Sequence, residues 1–213
     1  LLLAFVSPIF LLAAAFFAAL LIYVRKKGVV SLQYDVDEGE QNLADARVQP
    51  LLNITRCAKV WRVTQSYQVR DRKYHAGAGS SVRRMPCKAA SRPPFPFQSN
   101  VPAATFKTGR ETLVFLPDKL FIIQGTKVGA LKYEEVTIAT RATRFVEEEA
   151  VPGDALVVDT TWQYVNKSGG PDRRFKNNRR LPVCLYGKLQ IYSPKGLDTL
   201  LMFSNPAVLE ESK

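Results

Sequence analysis

Thr112–Gly125, TLVFLPDKLFIIQG, reads as two β-strands, Thr112–Leu116 and Leu120–Gln124, joined at a Pro117-Asp118 turn. Both arms are rich in β-branched and aromatic residues, and proline at the turn supplies the fixed φ that such a reversal uses. The chain continues in the same pattern downstream. Val128–Tyr133 and Val136–Glu147 supply two more strands, and Pro152-Gly153 closes that element. Ala155–Asp159 and Trp162–Val165 lead into a polar loop. Leu181–Tyr192 leaves the loop as a long strand, and Gly196–Ser204 follows the turn Pro194-Lys195-Gly196. Asn205-Pro206 is a cap followed by a first-turn proline, which predicts a C-terminal helix from Asn205 to Lys213. Short successive strands punctuated by turn residues predict an antiparallel β sandwich or barrel over residues 57–213.

Upstream of the hairpin the pattern changes twice. Cys57–Val69 alternates Val60, Arg62 and Thr64 against Trp61, Val63 and Gln65, the pattern of a half-buried strand with Trp61 in the core. Residues 70–110 read mostly as loop, because Asp71–Ser81 is polar and glycine-bearing and Ser91–Phe97 is proline-dense. The run His75–Ser81 lacks the Gly-Lys-Ser/Thr ending of a phosphate loop, and His75 has no obvious partner. Residues 28–56 form a linker. In it Val29–Val36 is a short strand or extended exit, and Glu38–Ile54 has helix-like apolar spacing that Pro50 should bend or split. The acidic residues Asp35, Asp37, Glu38 and Glu40 suit the positive end of that helix.

Residues 1–27 are of another kind. Leu1–Val24 carries no charge, long enough to span a hydrocarbon core of about 20 residues, and Tyr23 marks the interface before Arg25, Lys26 and Lys27. Basic residues at that end place the rest of the chain on the cytoplasmic face of an inner membrane. A secretory leader would carry its basic residues ahead of a shorter apolar core. Ser7-Pro8 resembles a helix start, so the segment is either one kinked span or the second arm of a hairpin.

The formal charge is +11, and only three of the cations lie in the first 27 residues, so the β domain itself is strongly basic. That sign selects anionic partners: lipid headgroups, nucleotides, nucleic acid or acidic protein. Cys57, Cys87 and Cys184 are widely spaced with no CxxC, which argues against a disulfide framework and leaves reduced, buried thiols as the expectation. No metal site and no cofactor are expected. A catalytic set does not assemble from the sequence, which offers one His and no nucleophile elbow. Asp118, Glu134, Asp154, Asp159 and Asp172 are the carboxylates that folding would have to gather for an active site.

The densest cationic patch lies in Trp162–Gly187, WQYVNKSGGPDRRFKNNRRLPVCLYG. Gly169, Gly170 and Pro171 break the β pattern, and Arg173, Arg174, Lys176, Arg179 and Arg180 follow within one loop. Guanidinium forks suit phosphate or carboxylate, and Asn177 and Asn178 add neutral hydrogen bonds, so these seven residues are the candidate anion site. The competing reading is a solvated hairpin tip whose charge Glu147, Glu148 and Glu149 neutralise within the chain.

Phe115–Ala139, with Leu185–Ser193, Leu200–Asn205 and the terminal helix, resembles the strand pattern of bacterial pleckstrin-homology-like domains over residues 112–213. Arg144–Gly187 is similar to an uncharacterised family of bacterial membrane-anchored proteins. The first resemblance implies binding of lipid headgroups or protein segments rather than catalysis, although here the basic loop follows the fifth or sixth strand instead of lying in the first hairpin. The expectation is a membrane-tethered binding or signalling module. The alternative is a membrane effector, in which the domain senses a small anion and Ala-rich helices oligomerise to disturb the bilayer.

Overall fold

The computed structural model describes residues 8–34, 38–68, 76 and 80–209. His75, most of the glycine-bearing run around it, Asp35 and Asp37 lie outside the described residues. The elements in chain order are α1 (Pro8–Lys27), β1 (Val30–Leu32), α2 (Glu38–Thr55), β2 (Val60–Gln68), β3 (Ser80–Pro86), β4 (Lys88–Ala90), β5 (Phe97–Ser99) and β6 (Ala104–Thr108). There follow β7 (Glu111–Phe115), β8 (Lys119–Gln124), β9 (Lys127–Lys132), β10 (Thr137–Val146), β11 (Leu156–Trp162), β12 (Arg180–Ser193) and β13 (Leu197–Phe203).

The strands form two larger antiparallel sheets and a small parallel pair, so the fold is mainly β but closes no barrel. One sheet has the order β4-β6-β7-β8-β9, a meander built around the predicted Pro117-Asp118 hairpin. The other has the order β10-β12-β13-β2-β3. In it the 14-residue β12 carries β10 on one edge, with β11 and then β13 in succession on the other. β1 pairs in parallel with β5, Val30 opposite Phe97.

Alternation along β12 decides what the sheets bury, because successive side chains point to opposite faces. Leu189 and Ile191 meet Leu201 and Phe203 of β13 on the inner face, where they pack with Phe106, Leu113, Phe115 and Leu120 of the other sheet. α2 adds Val48, Leu51, Leu52 and Ile54 to that core, residues at the three- and four-residue spacing of one helix face. Each such side chain stabilises by about 1.5–3 kcal/mol on burial. Gly187 is required where β12 passes β13, since a Cβ there would lie 2.1 Å from the Phe203 ring. On the outer face Cys184 and Tyr186 join Trp61 and Met202 in a second cluster. Trp61 is therefore buried as expected, but on the far side of its sheet from the main core.

Several expectations need correction. Residues 70–110 contain β3, β4, β5 and β6 rather than mostly loop. These strands are short and rich in Lys, Arg, Pro and Ser, which masks their alternation; β3 and β6 pair with their chain neighbours β2 and β7, and β5 pairs with β1 from far upstream. α2 runs through Pro50 without a break. The bond that proline denies to the Ala46 carbonyl is offset by the four buried side chains around it. In place of the two strands Ala155–Asp159 and Trp162–Val165 there is one, β11, which ends at Trp162 and has a register shift between Val157 and Asp159, while Gln163–Val165 lie beyond it. The terminal segment forms a 3-10 turn, Pro206–Leu209, and residues 210–213 lie outside the described residues. The three cysteines are free thiols, with Cys87 and Cys184 buried and Cys57 half-buried. Burial pushes Cys87 up to about 12.

α1 is helical from Pro8 to Lys27, and its side chains from Phe10 to Tyr23 are exposed along the whole stretch, Phe10 at 70% and Leu12 at 72%. Among the described residues no helix is long and apolar enough to cross a membrane.

Candidate functional site: an exposed cationic loop

The loop between β11 and β12 is built by side chains that stand in for a β ladder. Gln163 N–H donates to the Arg179 carbonyl at 2.9 Å, continuing the β11–β12 pairing outward. One step further, Asn178 takes over: its Oδ1 accepts from Tyr164 N–H at 2.9 Å and its Nδ2 donates to the Tyr164 carbonyl at 2.7 Å. Asp172 N–H donates to the same carbonyl at 3.1 Å, and Val165 bridges Pro171. Asn166 Oδ1 accepts from Ser168 and Gly170 N–H, both at 2.9 Å, which closes a tip where Gly169 sits at φ +83°. The Phe175 ring stacks on Tyr164 with centroids 4.0 Å apart. The loop is thus an ordered frame.

On that frame Arg173, Arg174, Lys176, Arg179 and Arg180 are all exposed, as is Asn177. They are not equivalent. The carboxylate of Asp172, 7% exposed, accepts from Arg174 Nε at 3.0 Å and from Arg174 N–H at 3.1 Å, so this pair fixes its own turn. Arg180 lies 5.4 Å over the Trp162 ring, and Arg179 reaches the Glu148 carbonyl at 3.5 Å. Arg173 and Lys176 have no ion-pair partner among the described residues. Asn177 and Asn178, read as one pair of ligands from sequence, separate: Asn177 faces solvent and Asn178 is spent on the backbone of Tyr164.

The acidic run beside the loop is engaged elsewhere. Glu147 Oε1 lies 2.6 Å from Arg84 Nη2, Glu149 approaches the same guanidinium at 3.5 Å, and only the main chain of Glu148 meets the loop. Neutralisation of the loop by Glu147–Glu149 is therefore corrected. Arg84 is held between the faces of Trp61 and Phe145, at 4.3 and 4.7 Å from their centroids, and Tyr186 donates to Glu147 Oε2 at 2.7 Å. Sequence reading missed this network, since its members are scattered from position 61 to 186 and the signal was a single Arg in a segment read as loop. Burial alone would raise the Glu147 pKa. The hydrogen bonds from Arg84, Tyr186 and Glu149 N–H outweigh it and hold the carboxyl below its ordinary range.

The carboxylates considered for an active site are dispersed. Asp118 accepts from the Tyr34 hydroxyl at 2.7 Å, Asp154 from Ala58 N–H at 2.8 Å, Asp159 pairs with Arg144 at 3.5 Å and Asp172 with Arg174. Each serves a different partner. No protein-family model, no curated protein and no solved structure matches this chain.

Proposed function

We propose that the chain is a membrane-tethered binding module whose β11–β12 loop engages an anionic, phosphate-bearing partner. The observation that carries this reading is the arrangement of the loop: its side-chain frame is internally satisfied, while Arg173, Lys176 and Arg179 stand in solvent and the nearest acidic run is committed to Arg84. Repulsion among close cations is relieved when an external anion takes the remaining donors, and guanidinium groups favour phosphate oxygens. The tether is α1, whose apolar side chains face outward and whose sequence ends in Arg25-Lys26-Lys27, the pattern that puts the β domain on the cytoplasmic side.

The test is Arg173→Ala with Arg179→Ala in the full chain. The expected result is melting within about 0.5 kcal/mol of the parent, as for surface changes generally, with loss of binding to anionic vesicles, nucleotide or oligonucleotide. Parent binding to whichever probe is taken should weaken steeply with salt. A folded double variant that binds all three probes as the parent does would overturn the proposal.

A further inference from the structure

The proline-dense run Ser91–Phe97 takes no part in the cationic loop, and the fold gives it a definite place. It joins β4 to β5, and β5 pairs in parallel with β1, Val30 opposite Phe97. Parallel partners start at the same end of their pair. β1 starts three residues after α1 ends at Lys27, and β5 starts directly after Pro96, so the tip of the β4–β5 loop and the end of α1 lie at one end of the pair. Val30 N–H donates to the Pro96 carbonyl at 2.9 Å, which holds the tip beside the chain as it leaves α1. Three residues of extended chain reach at most about 11 Å, so the tip stays near Lys27 whatever the tilt of the helix.

The loop turns one aromatic side chain outward and the next inward. Phe97 stacks on Phe121 of β8 with centroids 6.4 Å apart, and its N–H donates to the Pro94 carbonyl at 2.9 Å, which closes the turn. Phe95, between Pro94 and Pro96, is 61% exposed, the most exposed large apolar side chain among the described residues beyond α1. Val30, across the hydrogen bond from Pro96, is also exposed. Proline fixes φ on both sides of Phe95, so the chain loses little freedom in holding the ring out. Single exposed apolar residues are common, and what distinguishes this one is its position at the helix end. The segment that carries it has charge of one sign. No Asp or Glu occurs between Asp71 and Glu111, and Arg92 of the loop is exposed with no ion-pair partner among the described residues.

We infer, on the reading of α1 as a tether, that the β4–β5 loop is a second membrane contact in which Phe95 inserts at the headgroup–acyl boundary of the bilayer that holds α1. With Arg25-Lys26-Lys27 fixed at the interface, the tip is already within reach of lipid, and Arg92 meets the phosphates of an anionic leaflet as the ring leaves water. The contact also sets the orientation of the domain, since β1 and β5 both run away from the bilayer from this point.

The experiment places para-fluorophenylalanine at position 95 alone in the full chain, held in bilayer discs of about three parts phosphatidylcholine to one of phosphatidylglycerol. Fluorine NMR then reads contact with two relaxation agents, a spin label on the lipid acyl chain close to the glycerol and a water-soluble gadolinium chelate. The expected result is loss of the fluorine signal with the lipid-borne label and its persistence with the chelate. A signal that the lipid-borne label leaves intact, or that the chelate broadens as strongly, would overturn the contact; flotation of the same chain with vesicles in high salt would show that the tether nevertheless stands. A chain that fails to float removes the tether and this contact with it.

Discussion

Glu147 keeps its charge with only 1% of its side chain exposed because three donors converge on it, and Arg84 is buried only because that carboxylate answers it. The pair is enclosed by Trp61, Phe145 and Tyr186, so neither partner can turn to solvent when the other is removed. Breaking such a buried pair costs about 3–5 kcal/mol. Glu147→Gln should therefore lower the unfolding free energy by that amount in urea titrations at pH 7. Because the folded-state pKa is depressed, the carboxylate's contribution is fully present above the unfolded value of about 4.3 and is lost as pH falls through the lower folded value. The parent should lose stability below about pH 4, and the variant should lack that part of the acid limb. A variant within about 1 kcal/mol of the parent at pH 7 would refute this account of the network.

The β11–β12 loop shows how one element separates residues that look alike in sequence. Asn177 and Asn178 are adjacent, yet only Asn178 stands opposite Tyr164, where it extends the ladder by two hydrogen bonds. Each such bond contributes about 0.5–1.5 kcal/mol. Asn178→Ala should cost about 1–3 kcal/mol and speed amide exchange of Tyr164, whereas Asn177→Ala should leave both unchanged within about 0.5 kcal/mol. Equal effects of the two variants would show that the frame is not what orders the loop. The presence of a turn in this segment was legible from Gly169, Gly170 and Pro171, since those residue types act locally. Which Asn faces inward was not, because that depends on the register of β12 against β11, set about a dozen residues away by the packing of Leu189 and Ile191.

At the scale of the whole molecule, a basic β domain follows a helix whose apolar side chains meet no core. The proposed tether predicts that the full chain sediments with membranes in high salt, while a chain beginning at Gly28 stays in the supernatant and melts as the full chain does. Sedimentation of the shortened chain in high salt would place the anchoring elsewhere. The sequence by itself determined the β character of residues 111–203, the turns there and the position of the cationic loop, though not that Leu156–Trp162 is a single strand, because alternation, Pro and Gly act over two to six neighbours. Tertiary structure alone decided three other things: that residues 80–108 pair as strands, that Pro50 is tolerated inside α2, and that Glu147 faces Arg84 rather than the basic loop. Pro50 and Glu147 depend on partners tens of residues away, as does β5 in pairing with β1, whereas β3 and β6 pair with their chain neighbours β2 and β7. The energy that selects them, from burial, ladder hydrogen bonds and ion pairing, exists only once the sheets have assembled.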